Sequence, residues 1–157
     1  MIRIGHGYDV HAFGGDKSLV LGGVVFKEHR GLIAHSDGDV LLHAVCDALL
    51  GAASLRDIGY HFPDTDQQYA NANSLELLKQ VFFLLQSKNY KINNLDITVI
   101  AQTPKMSKHI DNINSNICKV LSIKNDQCNV KATTTEKLGY IGREEGIAVH
   151  CVCLIEC

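Results

Sequence analysis

The sequence predicts an α+β sandwich: a mixed sheet with its helices packed on one face. Three observations predict it. Segments with a two-residue apolar period alternate loosely with segments whose apolar residues recur every three or four positions. Each helical segment carries one apolar face, which one face of a sheet would cover. The chain has 157 residues, 46 % of them apolar, which suits a single compact core.

The elements follow in chain order. Arg3 to Phe13 reads as a strand, and Gly14-Gly15-Asp16 as a turn after it. Ser18 to Leu21 and Val24 to Phe26 flank Gly22-Gly23, the pattern of a small hairpin. Asp37 to Leu55 reads as a helix, with Ser36 or Asp37 accepting the free backbone N–H groups at its start. Asp57 to Asp66, with its glycine, proline and aspartates, reads as a loop. Ser74 to Lys88 places Leu77, Leu78, Val81, Leu84 and Leu85 on one helical face. Leu95 to Gln102 alternates as a strand with one mostly apolar face. Lys108 to Ser122 is a helix with Ile110, Ile113, Ile117, Val120 and Leu121 on one side. Asn129 to Thr135 and Ile147 to Glu156 are further strands. On the last, Ile147, Val149, Cys151, Cys153 and Ile155 line one face, while Val152 and Leu154 add apolar weight to the other. A strand apolar on both faces is covered on both, so a second copy of the chain is the expected second cover.

No linker, repeat or charge block divides the chain, so one domain over residues 1–157 is expected. The net charge of −2 offers no basic excess to neutralise a nucleic-acid backbone. A membrane span needs about 20 apolar residues in a row. The nearest approach, Val40 to Ala53, is interrupted by His43, Asp47 and Gly51. Met1 to Gly7 lacks the apolar run of a signal peptide, so a soluble, cytoplasmic protein with no membrane partner is expected. The six cysteines, Cys46, Cys118, Cys128, Cys151, Cys153 and Cys157, show no CxxC spacing and read as reduced thiols. Cys151 and Cys153 share a strand face, as small buried residues or as a metal-binding pair.

Several residues carry candidate chemistry. Asp9 and His11 lie two apart on a strand, so both point to one face. They read as half of a metal site or as a salt-bridged surface pair. His43 lies inside an otherwise apolar helix, where an unpaired imidazole is costly. Asp39 and Asp47 flank it four residues to either side, and one of them is expected to bond the ring nitrogen turned away from a metal. The alternative is a core histidine satisfied by those aspartates alone. Three protein ligands with an open position is the pattern of catalytic zinc, which polarises a phosphoryl oxygen or activates water. His35-Ser36 precedes the expected helix start, a place that holds phosphate or simply caps the helix. Lys131 to Lys137, KATTTEK, sets three hydroxyls beside Glu136, a ligand type for a hard cation such as Mg²⁺. It reads equally as a β-branched strand with a solvated end. Ala101 to Lys108, AQTPKMSK, leaves a strand through a proline turn whose backbone could read a base edge. Arg143 is a phosphate clamp or a charged loop residue.

Five stretches occur in order: RIGHGYDVHAFGG, AHSDGDVLLHAVCDALLGAA, DIGYHFPDTD, IAQTPKM and NVKATTTEKLGYIGREEGIA. Together they resemble the 2-C-methyl-D-erythritol 2,4-cyclodiphosphate synthase family. The resemblance implies a ferredoxin-like α+β fold assembled as a homotrimer, with sites between neighbouring subunits. It implies that Asp9, His11 and His43 bind zinc, with Asp9 and His11 also counted at the substrate. His35 and Ser36 would contact substrate phosphates, and His35 and Thr134 the transition state. Asp57, Ile58 and Gly59, then Phe62, Pro63, Asp64, Thr65 and Asp66, would line the methylerythritol pocket. Ala101, Gln102, Thr103, Pro104, Lys105, Met106 and Ser107 would hold the cytidine ring. Thr133, Thr134, Thr135 and Glu136 would hold the diphosphate, with Glu136 on a Mg²⁺ or Mn²⁺ ion. Tyr140 and Arg143 fall at further substrate-contact positions.

The implied reaction converts 4-diphosphocytidyl-2-C-methyl-D-erythritol 2-phosphate to the 2,4-cyclodiphosphate with release of CMP, in the non-mevalonate isoprenoid pathway. An anionic phosphate nucleophile fits the lack of a serine or cysteine nucleophile elbow in the sequence. Three departures from the family pattern stand out. Ser107-Lys108 follows Met106 where an apolar residue is frequent. Tyr140 replaces the usual Phe and, with Tyr8, alters an axial cavity that resembles a prenyl-diphosphate pocket. Tyr60-His61 falls at variable positions, so His61 is expected to be a non-ligand. No second catalytic domain is expected, and the compartment would be cytoplasm or plastid stroma. The rival readings are a zinc-dependent nucleotide diphosphate hydrolase and a non-catalytic nucleotide or prenyl-phosphate binding module.

Overall fold

The computed structural model describes residues 1–63, 65–69 and 72–157. The alternating apolar runs become five strands: β1 (Ile2–Leu21), β2 (Val24–Leu32), β3 (Lys91–Ile100), β4 (Cys128–Thr133) and β5 (Gly146–Glu156). They form one sheet in the order β2-β1-β5-β3-β4. β1 is long enough to serve two partners. Ile2 to Ala12 pairs antiparallel with β5 without a slip, and Phe13 to Leu21 pairs antiparallel with β2. The turn expected at Gly14-Gly15-Asp16 is instead part of β1. Its register against β2 shifts between Phe13, Gly15, Ser18 and Leu19, so the surplus residues are absorbed as bulges while pairing continues. The hairpin at Gly22-Gly23 forms as expected. Both glycines have positive φ, 58° and 73°, as a two-residue turn of the right twist requires.

Three long helices supply the layer above the sheet: α1 (Val40–Ala52), then, after a single turn α2 (Ile58–His61), α3 (Ser74–Ser87) and α4 (Ile110–Leu121). A last single turn, α5 (Gly139–Gly142), precedes β5. α1 packs on β1 and β5, α3 packs on α1, and α4 packs on α3 and β4. Covered on several sides, α1 buries Leu41, Leu42, Val45, Leu49 and Leu50 completely. α4 is exposed along one side and buries only Ile113, Ile117, Cys118 and Leu121. β3, α4 and β4 make a parallel crossover unit, and β5 runs antiparallel between β3 and β1.

α1 can approach β1 this closely because Gly5 and Gly7 lack side chains. A Cβ on Gly5 would lie 1.9 Å from the Ala48 carbonyl oxygen, and one on Gly7 would lie 1.9 Å from that of Ala44. This contact sets His43 of α1 against Asp9 of β1.

Two expectations about α1 and the following loop change. The helix begins at Val40, and its cap is Asp39 rather than Ser36 or Asp37. The Asp39 carboxylate accepts from Leu42 N–H at 3.1 Å and from Gly22 and Gly23 N–H at 2.9 and 2.8 Å, so the β1–β2 turn selects it. Within the segment expected as a loop, Asp57 caps α2 by accepting from Tyr60 N–H.

Among the described residues, no helix covers the far face of the sheet. Ile2, Ile4, Tyr8 and Val10 of β1 and Val152 of β5 are exposed there, while Ile147, Val149, Cys151, Cys153 and Ile155 are buried beneath the helices. Of the cysteines, all but Cys157 are buried, and all are free thiols. Among the described residues, no helix is long and apolar enough to cross a membrane.

Candidate functional site

β1 and α1 bring Asp9, His11 and His43 together. Asp9 Oδ2 lies 2.9 Å from His11 Nε2 and 3.1 Å from His43 Nδ1. All three are half-buried, and their ligand atoms lie within 4.8 Å of one another, a grouping able to hold a metal ion. Among the described residues this is the one such cluster.

The remaining ring nitrogens are engaged in a way that favours metal binding. His11 Nδ1 faces the Ile33 carbonyl at 3.0 Å, an acceptor only, so that nitrogen carries the hydrogen and Nε2 is turned toward Asp9. His43 Nε2 faces Ser74 Oγ at 3.1 Å. Two imidazole nitrogens and a carboxylate oxygen, each imidazole anchored at its other nitrogen, suit a divalent cation. The electrostatics agree. Burial alone would raise the Asp9 carboxyl, but the His11 and His43 rings against it outweigh burial and hold it at about 2. The Asp9 carboxylate against its Nε2 raises His11, against the opposing effect of burial.

The expected partners of His43 are corrected. Asp39 is spent on capping α1 and on the Gly22-Gly23 turn. Asp47 Oδ1 accepts from Ile58 N–H at 2.7 Å, which ties α2 to α1. The ring is held by Ser74 instead, 31 residues further along the chain.

A cleft of about 380 Å³ opens beside the three ligands. His35, Ser36, Ile58, Gly59 and Phe62, which the family resemblance names, line it together with Ile33, Ala34, Asp47 and Leu77. Spacing singles out Asp47 as a partner of His43, one helical turn past it, and it stands instead in the cleft wall. Burial raises its carboxyl, with Asp57 and Asp9 adding to the effect. Asp57 bounds the wall through its cap of α2. Pro63 and Thr65 follow on the same segment, and Asp66 is turned to Gln68, accepting from its backbone and side chain. Asp64 lies outside the described residues. His61 Nε2–H donates to the Leu55 carbonyl oxygen at 2.7 Å, and the ring stands apart from the ligand cluster.

A second cleft of about 450 Å³ lies toward the β4 edge of the sheet. Ala101, Gln102, Pro104, Lys105, Met106 and Ser107 from the loop after β3 form one wall, with Thr133 and Thr134 from the end of β4 as the other. Thr103 faces a neighbouring groove with Phe26 and His109. Beyond Thr134 the chain turns sharply, with φ of 52° at Glu136 and 65° at Lys137. Thr134 Oγ1 accepts from Glu136 N–H at 3.2 Å, and Thr135 Oγ1 donates to the Leu138 carbonyl at 2.7 Å. Tyr140 and Arg143 are turned elsewhere. The Tyr140 hydroxyl lies 3.0 Å from that of Tyr8, and Arg143 pairs with Glu145 at 2.9 Å.

The two clefts share no described residue. β5 and β3 stand between β1, which carries Asp9 and His11, and β4, which carries Thr133. Within one chain the two clefts are therefore separate.

Comparison with known proteins matches residues 2–156 to the model of the YgbB family. Two bacterial proteins named 2-C-methyl-D-erythritol 2,4-cyclodiphosphate synthase, from Idiomarina loihiensis and Haemophilus influenzae, are each 61 % identical over 155 residues, 99 % of this chain and 98 % of theirs. Among solved structures, the chain is similar to the Plasmodium falciparum IspF CDP complex, with a TM-score of 0.86 at 42 % identity, covering 98 % of this chain and 95 % of that one. It is also similar to the bifunctional IspDF of Campylobacter jejuni, with a TM-score of 0.95 at 49 % identity over 99 % of this chain. The chain spans 42 % of the length of that bifunctional protein.

Proposed function

The chain belongs to the YgbB family, and from that premise we propose that it closes the ring of 2-C-methyl-D-erythritol 2,4-cyclodiphosphate and releases CMP. The carrying observation is full-length identity of 61 % to proteins named for that reaction. The convergence of Asp9, His11 and His43 on one point supports it. The substrate is 4-diphosphocytidyl-2-C-methyl-D-erythritol 2-phosphate. Its 2-phosphate attacks the β-phosphorus of the diphosphate, a P–O bond forms, and CMP departs with the electron pair of the bond that breaks.

Asp9, His11 and His43 would hold zinc, and Glu136 would hold Mg²⁺ or Mn²⁺. Such ions supply positive charge that offsets repulsion between phosphates. The side chains do the rest. His35, exposed at the mouth of the first cleft, offers a ring N–H to a phosphate oxygen, with Ser36 beside it. Thr133 and Thr134 offer hydroxyls to the diphosphate, and the Ala101–Ser107 loop cradles the base. Asp57, Ile58, Gly59, Phe62, Pro63, Thr65 and Asp66 would enclose the methylerythritol. Tyr140 and Arg143 reach the substrate only after leaving Tyr8 and Glu145. Holding nucleophile and target in line is the chain's main contribution, since the reacting groups already share one molecule.

The same proposal takes residues 1–157 as one cyclase domain of ferredoxin-like type, working as a homotrimer in the cytoplasm. The separation of the two clefts supports the trimer, because a neighbouring copy can supply the other half of each site. The exposed Ile2, Ile4, Val10 and Val152 supply a face to bury. Turnover in ¹⁸O-labelled water separates the cyclase from the rival hydrolase. The cyclase gives product and CMP without solvent oxygen, and label in either product would sink the proposal.

A further inference from the structure

We infer that Asp37, Ser74 and His43 form a relay that fixes the tautomer of His43 and so sets the metal affinity of the Asp9–His11–His43 cluster. The inference rests on reading that cluster as a metal site. Ser74 is the first residue of α3 and is fully buried. A buried hydroxyl has one hydrogen to give and lone pairs to accept with.

Here the hydrogen has one destination: Ser74 Oγ donates to Asp37 Oδ1. Asp37 acts throughout as an acceptor. Its Oδ2 takes Ser74 N–H at 2.8 Å, and its Oδ1 also takes Asp39 N–H at 3.2 Å. With three donors aimed at it, the Asp37 carboxyl group is the acceptor in its contact with Ser74 as well. The Ser74 oxygen is then left with lone pairs facing His43 Nε2 at 3.1 Å. That contact is a hydrogen bond only if Nε2 carries the hydrogen. Nδ1, 3.1 Å from Asp9 Oδ2, is thereby the nitrogen with a lone pair for a metal.

The relay also joins elements that the ligand cluster alone does not. Asp37 belongs to the segment between β2 and α1, Ser74 to α3, and His43 to α1. His11 gets the same service from the fixed Ile33 carbonyl. His43 depends on a side chain that must itself be oriented, so removing either Ser74 or Asp37 loosens one ligand and leaves the other two. Partners of this kind change metal affinity by roughly 10–100-fold when removed.

The test compares wild type with Ser74→Ala, Asp37→Asn and His43→Ala. Zinc affinity is measured by competition with a chromophoric chelator, and Co²⁺ is substituted to read ligand geometry from its visible absorption. Thermal unfolding of each metal-free protein reports the fold separately. Ser74→Ala is expected to weaken zinc binding by roughly 10–100-fold and to alter the Co²⁺ bands, with Asp37→Asn in the same direction. Should Ser74→Ala fail to fold, Asp37→Asn carries the test alone. Zinc affinity and Co²⁺ bands unchanged in the folded variants would overturn the relay. If His43→Ala itself keeps wild-type zinc affinity, the metal-site reading fails, and the relay falls with it for that distinct reason.

Discussion

Gly7→Ala should break the site without touching a ligand. A Cβ at Gly7 would sit 1.9 Å from Ala44 O, 2.7 Å from Ala48 N and 2.9 Å from Ala44 C, all backbone atoms of α1. Side chains can swing away from an intruding methyl group, but helix backbone cannot. The α1–β1 gap must therefore open by roughly 1.5 Å to restore an ordinary contact. Overpacking of this kind costs about 1–3 kcal/mol, and a rigid, buried helix belongs at the upper end. The displacement acts on His43, one residue before Ala44. Its Nδ1 would retreat from Asp9 Oδ2 by a distance several times the ~0.2 Å tolerance of metal–ligand bonds. Urea denaturation of the metal-free protein should show a loss of about 3 kcal/mol, and zinc competition should show at least a tenfold weaker site. Gly51→Ala is the control. It lies in the same helix, a Cβ there meets nothing within 4 Å, and alanine should stabilise by roughly 0.5–1 kcal/mol. A Gly7→Ala protein within about 0.5 kcal/mol of wild type, with unchanged zinc affinity, would refute the claim that this contact holds the cluster together.

Further outcomes follow from the same geometry. His43→Ala should lose zinc and cyclase activity together, and full turnover by the zinc-free variant would contradict the assigned metal role. Glu136→Ala should bind zinc normally yet need more Mg²⁺ for turnover, so an unchanged Mg²⁺ titration would remove Glu136 from that role. Asp39 should give a pH signature. Burial pushes its carboxyl up from 3.8 to about 6, although backbone N–H groups of Gly23, Leu42 and Gly22 pull the other way. The folded state then binds this proton more tightly than the unfolded state does. Its contribution to stability grows as pH falls through about 6 and is lost as pH rises through that value. Between about pH 7 and about pH 5 it amounts to about 1.4 kcal/mol, which Asp39→Asn should abolish. Equal pH slopes for wild type and variant in urea denaturation would show that the group does not titrate there.

Local pattern carried much of this architecture. The long helices and the last three strands appear within a few residues of where apolar period places them, β2 runs six residues past its expected end at Phe26, and Gly22-Gly23 announces its own turn. Asp9 and His11 share a face because strand period alone demands it. What escaped depends on contacts distant in sequence. β1 continues through Gly14 to Asp16 because β2 stays paired alongside. Asp39 displaces Ser36 and Asp37 as the cap because two N–H groups from the β1–β2 turn need the same carboxylate. The anchor of His43 is Ser74, on another helix, so the helical spacing that singled out Asp39 and Asp47 pointed to the wrong partners. The assignment of Thr134, Glu136 and the base-binding loop came from family resemblance, and spacing by itself left their chemistry open.

The central claim is intramolecular ring closure, and phosphorus NMR tests it most directly. The substrate 4-diphosphocytidyl-2-C-methyl-D-erythritol 2-phosphate is incubated with zinc-loaded protein and Mg²⁺. The account predicts two coupled phosphorus signals in the range of a cyclic diphosphate, with CMP appearing in equal amount. CMP accompanied by an acyclic bisphosphate, or no change with both metals bound, would contradict it.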